Sequence, residues 1–364
     1  MGATYVYAII PTGNGVVFEA AGVDDHHDEV YSIPNRDIAA VVSASPLADY
    51  RGLKRDEAVP YLVAHQRVVE AIMRDFPMLP VKFGTVLPNE AWVHRLLRQG
   101  ETLFRTTLKR FAGRVQMEVV VLWSLPEVFQ EIGNELRSNV QTFKLSNVTD
   151  AERIAIGQMV QASLAQRRTA LRDRLLPSLQ EVALDLVVNP LMDDSMVANV
   201  ALLVDEAGRR ALDQRLELLD NEFGGRLRFR CVGPLPPYSF ATVEVQMPSF
   251  QAVDEARRLL GLGETATPGE IKRSYHQLAG QLHPDHNPED PEAEVHMAEL
   301  TQAYRLLTAY AENVHRPPAT DRRQLTPAVS GQPPAVVFSR EAVERTLLIA
   351  IRRQEAPVQG TRAI

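Results

Sequence analysis

A single cysteine, Cys231, stands in 364 residues. This excludes an internal disulfide and any cysteine-based zinc site, and it suits a reducing cytosol. Aromatic residues make up only 6% of the chain, with two tryptophans, and Trp92 and Trp123 read most simply as packing residues. No apolar run approaches the ~18 residues of a membrane span. The stretch from Met1 to Tyr7 has neither the basic start nor the apolar core of a secretory signal. Excess positive charge is missing too: 39 Lys and Arg against 46 Asp and Glu give a net charge of -7, which argues against a general nucleic-acid binder. Gly-x-Ser-x-Gly, His-Glu-x-x-His and the P-loop are all absent. No catalytic, metal-binding or cofactor-binding residue is therefore nominated, and the chain reads as a protein other than an enzyme.

Several weaker signals have plain structural readings. Gly13 and Gly15 follow a strand, but no Walker lysine follows them, and Pro11-Thr12-Gly13-Asn14-Gly15 reads as a hairpin turn. Asp24-Asp25-His26-His27-Asp28 resembles a metal cluster in composition, yet adjacent loop residues rarely converge on one ion. Cys231 falls in a strand and reads as a small buried hydrophobe. Lys82, the one charge in an apolar connector between prolines, reads as a side chain that snorkels to the surface.

What is present is an ordinary globular composition, 45% hydrophobic and 23% charged, long enough for two or three domains. The first part, residues 1–125, reads as an α+β domain. It has strands at 4–10, 16–20, 29–33 and 38–43, helices at 55–76 and 89–112, and an apolar strand at 116–123. The second part, 126–250, begins helical and continues strand, strand, helix, strand, an order that suggests a ferredoxin-like α+β sandwich.

A different pattern occupies residues 254–310. Thr267-Pro268 gives an N-cap followed by proline at the first helical position, with Glu270 in the first turn. Ile271, Tyr275, Leu278 and Leu282 form one helical face, and Ala293, Met297, Leu300, Tyr304 and Leu307 form another. His283-Pro284-Asp285 between them cannot continue a helix. The pattern predicts an antiparallel helical hairpin with the tripeptide at its tip, preceded by a short helix carrying Ala256, Leu259 and Leu260.

This stretch resembles the J domain of DnaJ-type co-chaperones. Leu259-Leu260-Gly261-Leu262, Ile271-Lys272-Arg273-Ser274-Tyr275, His283-Pro284-Asp285, Asn287-Pro288 and Ala303-Tyr304 carry the likeness. It implies a domain at 254–312 that docks on a DnaK-type chaperone and stimulates its ATPase. His283, Pro284 and Asp285 would form the essential loop, and Lys272, Arg273 and His276 the cationic docking face. Gln277 and Gln281 stand where such domains usually carry Lys or Arg, which implies weaker electrostatic docking.

The region from Thr4 to about Val245 resembles the gas vesicle L/F family of accessory proteins. Tyr5-Val6-Tyr7-Ala8-Ile9, Pro80-Val81-Lys82-Phe83-Gly84-Thr85 and Gly233-Pro234-Leu235-Pro236-Pro237-Tyr238-Ser239-Phe240 carry that likeness. It implies an assembly role in the cytoplasm, associated with gas vesicles, with the apolar shell subunit and other gas vesicle accessory proteins as partners. The chain then reads as an assembly factor that binds the shell subunit and recruits a DnaK-type chaperone. The alternatives are a general DnaK co-chaperone with unrelated client-binding domains, or a minor structural component of the vesicle.

Beyond the hairpin, residues 313–338 are rich in Pro, Thr and Gln and read as a flexible linker. Ser339 then caps an expected helix over 339–356, with Val343, Leu347, Leu348 and Ile351 beside Arg345, Arg352 and Arg353. From residue 313 onward there are eight arginines and four acidic residues. A basic amphipathic helix of this kind suits docking on the acidic body, a partner or a membrane surface. Its shortness and lack of an aromatic anchor favour docking within the protein or its assembly. The expected fold is thus α+β: two α+β domains, the second ferredoxin-like, then an all-α J-domain hairpin and a basic C-terminal helix.

Overall fold

A computed structural model describes residues 2–23, 29–47, 49–50, 52–139, 149–283, 292–316 and 334–354. In these the chain forms two compact units, residues 1–110 with 243–351 and residues 111–242 with 352–364. The run from Asp24 to Asp28 lies outside the described residues, as does most of the expected linker.

The first unit opens with β1 (Thr4–Ile10), β2 (Val17–Ala21), β3 (Glu29–Asn35) and β4 (Ile38–Ala44), followed by α1 (Arg55–Asp75), β5 (Leu79–Pro80), β6 (Val86–Leu87) and α2 (Glu90–Phe111). The sheet runs β2-β3-β4-β1-β5, with β6 also against β1, and its pairs are antiparallel. Every residue of β1 is buried, so this strand is central and covered on both faces. Its Tyr5 and Tyr7 face α1, where His65, 2% exposed, accepts a hydrogen bond from the Tyr5 hydroxyl (3.1 Å) and stacks on Tyr7. The Tyr5 oxygen also accepts from the Gly84 amide at 2.9 Å. Gly84 has φ +77, and a Cβ there would sit 2.9 Å from Tyr50, so only glycine lets this connector approach the aromatic cluster. On α2, the buried Glu101 receives Arg36 at 3.0 Å and Arg105 at 3.3 Å. Arg36 sits in the β3–β4 turn at φ +61, a strained conformation for a residue with a Cβ, and the carboxylate holds its side chain.

The second unit holds β7 (Val115–Trp123), α3 (Leu125–Asn139), α4 (Asp150–Gln180), β8 (Asp185–Val188), β9 (Met196–Val204), α5 (Glu206–Phe223) and β10 (Leu227–Leu235). The strand order is β10-β7-β9-β8, all antiparallel, which is the ferredoxin-like arrangement. The sequence reading placed residues 116–123 in the first domain. The pairing of β7 with both β9 and β10 puts it at the centre of the second sheet instead. Val119, Val121, Val200 and Leu202 pack under Leu175 and Leu212 from the helices. Cys231 also departs from expectation. It is exposed, because β10 is an edge strand of this sheet. The Pro-rich segment after β10 is anchored by Gln116, whose side-chain oxygen accepts from the Ser239 amide at 2.9 Å.

The chain returns to the first unit through β11 (Thr242–Gln246), then α6 (Phe250–Leu259), β12 (Thr265–Ala266), α7 (Pro268–Leu282), α8 (Ala293–Val314), β13 (Val336–Val337), α9 (Arg340–Glu344) and β14 (Leu348–Arg352). The expected helix over 339–356 is therefore overturned. Ser339 does cap a helix, its side-chain oxygen accepting from the Ala342 amide, but α9 ends at Glu344 and β14 pairs with β11. A short aliphatic run such as Leu347 to Ile351 satisfies either period, and the available edge of β11 decides. Lys82 is exposed, as read, and its ammonium lies 2.7 Å from Glu244 of β11. No helix among the described residues is long and apolar enough to cross a membrane.

Burial without a charged partner holds the His65 pKa down to about 4. The unfolded chain takes up this proton near pH 6.5. Between those values the unfolded state binds more protons, so stability is complete above pH 6.5 and is lost as pH falls toward 4, by on the order of 3 kcal/mol. Thermal melts of the protein and of His65→Gln across pH 4–7 check this: the variant is expected to start lower and to lose much less of its remaining stability as pH falls.

Candidate functional site

The helical hairpin is built as its sequence implies. Thr267 forms a capping box: its hydroxyl accepts from the Glu270 amide at 3.2 Å, and the Glu270 carboxylate accepts from the Thr267 amide at 2.7 Å. These bonds hold the Glu270 carboxyl below its ordinary pKa. Pro268 occupies the first turn, where a missing N–H costs nothing. Ile271 is buried, and Tyr275, Leu278, Leu282, Met297 and Tyr304 pack around the cluster of Leu300, Ala303 and Leu307. The rings of Tyr275 and Tyr304 stack at 4.2 Å between centroids, fixing α7 against α8. Of the short helix read before the hairpin, Ala256 and Leu260 are buried and Leu259 is exposed. The Ser274 hydroxyl donates to the Leu260 carbonyl, which ties α6 to α7.

The opposite face of α7 is open. Lys272, Arg273, His276 and Gln277 are all exposed, and so is Gln281. Among the described residues none of Lys272, Arg273 and His276 is held in an ion pair. The apolar stripe thus faces inward and leaves a cationic stripe outward, as amphipathic spacing requires. His283 is exposed and leaves the helix with extended backbone, φ -60 and ψ 132, as the C-cap of α7. Pro284 and Asp285 lie outside the described residues. The structure therefore brings Lys272, Arg273, His276 and His283 onto one helix and its exit.

The match to known families follows the same division. The family model described as gas vesicle synthesis protein GvpL/GvpF matches residues 3–242. The chain belongs to the GvpL/GvpF family. A second family model, the DnaJ domain, matches residues 258–313. Gas vesicle protein F of Dolichospermum flosaquae is 26% identical over 250 residues, covering 66% of this chain and 98% of that one. Gas vesicle protein L of a Streptomyces species is 29% identical, covering 66% of this chain and 92% of its own. The crystal structure of GvpF from an Anabaena species matches with a TM-score of 0.55 at 25% identity, covering 66% of this chain and 98% of that one. Chaperone protein DnaJ of Chlamydia trachomatis is 51% identical over 49 residues, 14% of this chain and 12% of that one. This GvpL/GvpF chain therefore carries a DnaJ domain after its two α+β domains.

Sequence reasoning missed the residues that seat the J domain in the first unit. Asn313 is 5% exposed and continues the α8 stripe of Leu300, Leu307 and Tyr310. Its side-chain oxygen accepts from the Ile349 amide at 3.0 Å, and its side-chain nitrogen donates to the Ala309 carbonyl at 2.9 Å. Gln99 of α2 donates to the carbonyls of Asn313 (3.2 Å) and Leu347 (2.8 Å). The legible signal was a lone amide on an otherwise apolar face, which marks a buried polar contact without naming its partner.

The capping box is the most exposed support of α7. Replacing Thr267 by Ala should cost about 1 kcal/mol and deprotect the first turn of α7 in native-state hydrogen exchange. The melting transition of the whole protein should shift by only a few degrees.

Proposed function

We propose that this chain is a gas vesicle assembly factor. Its two α+β domains hold the apolar shell subunit, and its J domain recruits a DnaK-type chaperone, in the cytoplasm and alongside other gas vesicle accessory proteins. The observation that carries this reading is the union of a GvpL/GvpF region with a J domain whose cationic helix face points to solvent. A subunit that forms a wall with an apolar surface must expose that surface before assembly, and such patches aggregate. A family-specific holder supplies client choice, and an ATP-driven chaperone supplies release. The chain does this without chemistry of its own.

In this reading Lys272, Arg273 and His276 steer and orient the chaperone, and the His283-Pro284-Asp285 loop triggers its ATPase. Summed exposed charge governs the rate of encounter more than the strength of the final contact. Gln277 and Gln281 leave the face short of two charges, so encounter should be slower and docking weaker than on a fully basic face.

The test uses the full chain. His283→Gln should abolish ATPase stimulation of the host chaperone while leaving capture of the shell subunit in pull-downs unchanged. Loss of capture in that variant, or stimulation equal to the unmodified protein, contradicts the division of labour. A charge series refines the docking face: Lys272→Glu with Arg273→Glu should slow association with little change in melting, since exposed substitutions shift stability within ~0.5 kcal/mol. Gln277→Lys with Gln281→Lys should strengthen it. These differences should shrink with salt, because screening acts over ~8 Å at physiological ionic strength. Three superimposable curves of stimulation against salt would remove α7 as the docking face.

A further inference from the structure

We propose that the C-terminal segment from Val336 to Arg352 is a clasp that holds the J domain in one orientation on the first α+β domain. The segment grips both. On the J domain, β13 pairs with β12 through Ala266 with Val336 and Thr265 with Val337. The Phe338 amide donates to the Glu264 carbonyl at 3.0 Å, and the Tyr310 hydroxyl donates to the Val337 carbonyl at 2.7 Å. Val336, Phe338 and Val343 are buried in the same cluster as Leu300 and Leu307, so the core of the J domain is completed by residues that follow it in the chain. The Arg340 guanidinium lies over the Phe250 ring at 4.7 Å.

On the other side, β14 pairs with β11, and β11 meets the connector after β5 through Val81 beside Val243. Between the two grips lies a polar joint. Gln99 reaches the carbonyls of Asn313 and Leu347, Arg95 donates to the Arg345 carbonyl at 2.8 Å, and Arg316 donates to the Ile349 carbonyl at 3.2 Å. Helix α2, the end of α8 and the approach to β14 thus share one set of hydrogen bonds. An apolar seam tolerates sliding. Directional bonds to a buried amide do not, because any shift leaves polar groups without partners away from water. A J domain joined only through the short connection from β11 to α6 would swing. This one is attached at both ends and indexed in the middle.

The clasp rests on contacts within the chain. Its consequence, presentation of the chaperone at one fixed place beside the held client, rests on the function proposed above. The test therefore needs neither chaperone nor shell subunit. In a full chain carrying Cys231→Ser, spin labels are placed through Arg67→Cys on α1 and Gln277→Cys on α7, and the distance between them is read by electron–electron double resonance. A single narrow distribution is expected. Gln99→Ala with Asn313→Ala should broaden it at least two-fold. A broad distribution in the unaltered joint overturns the proposal, and so does an unchanged narrow one in the double variant. Should the double variant fail to fold, Gln99→Ala with Arg95→Ala carries the same reading, because both side chains donate to carbonyls at the joint.

Discussion

A buried amide at Asn313 is the constraint on which the first unit turns. It ends the apolar face of α8, it is 5% exposed, and both ends of its side chain are bonded. A buried amide left without partners costs more than a well-made bond contributes. The fold therefore has to bring Ile349 to it, and with Ile349 comes β14. Gln99 then ties the same place to α2. Without this joint the J domain and the region after it would be held by the β12–β13 and β11–β14 pairings and the shared apolar cluster alone.

The gas vesicle motifs serve structure in the same sense. Tyr5 and Tyr7 lie in the central strand of the first sheet and bond His65 and Ser43. Gly84 permits the connector to touch the Tyr5 hydroxyl, and Lys82 fastens that connector to Glu244. The Pro-rich segment hangs from Gln116 of β7. Each motif is thus a place where backbone must approach something closely or turn sharply. The outward face of α7 is the contrary case. Lys272, Arg273 and His276 are exposed there, and among the described residues none of them is held in an ion pair.

Much of this was legible in the sequence where the interactions are local. The capping box at Thr267, the stripes of α7 and α8 and the break at His283 depend on spacing and on residue chemistry within one or two turns. The strand and helix order of the second unit was legible too, apart from its first strand. What could not be read were pairings between distant segments. Val115 to Trp123 is apolar enough for either sheet, and only β9 and β10 decide. Leu347 to Ile351 fits a helix face or a strand, and only the edge of β11 decides. Cys231 looked buried because strands usually are, but β10 lies at an edge. Asn313 passed unread at the end of the α8 stripe, and its partners, 36 and 214 residues away in sequence, could not have been named from spacing.

The function proposed above routes vesicle assembly through the J domain. The most direct measurement counts gas vesicles by electron microscopy in cells lacking the chain, supplied with either the unmodified protein or His283→Gln at equal abundance. The unmodified protein should restore vesicles, and the variant should leave the shell subunit aggregated with few or none formed. Equal vesicle numbers with both would contradict it, and would leave the two α+β domains as the whole of the assembly activity.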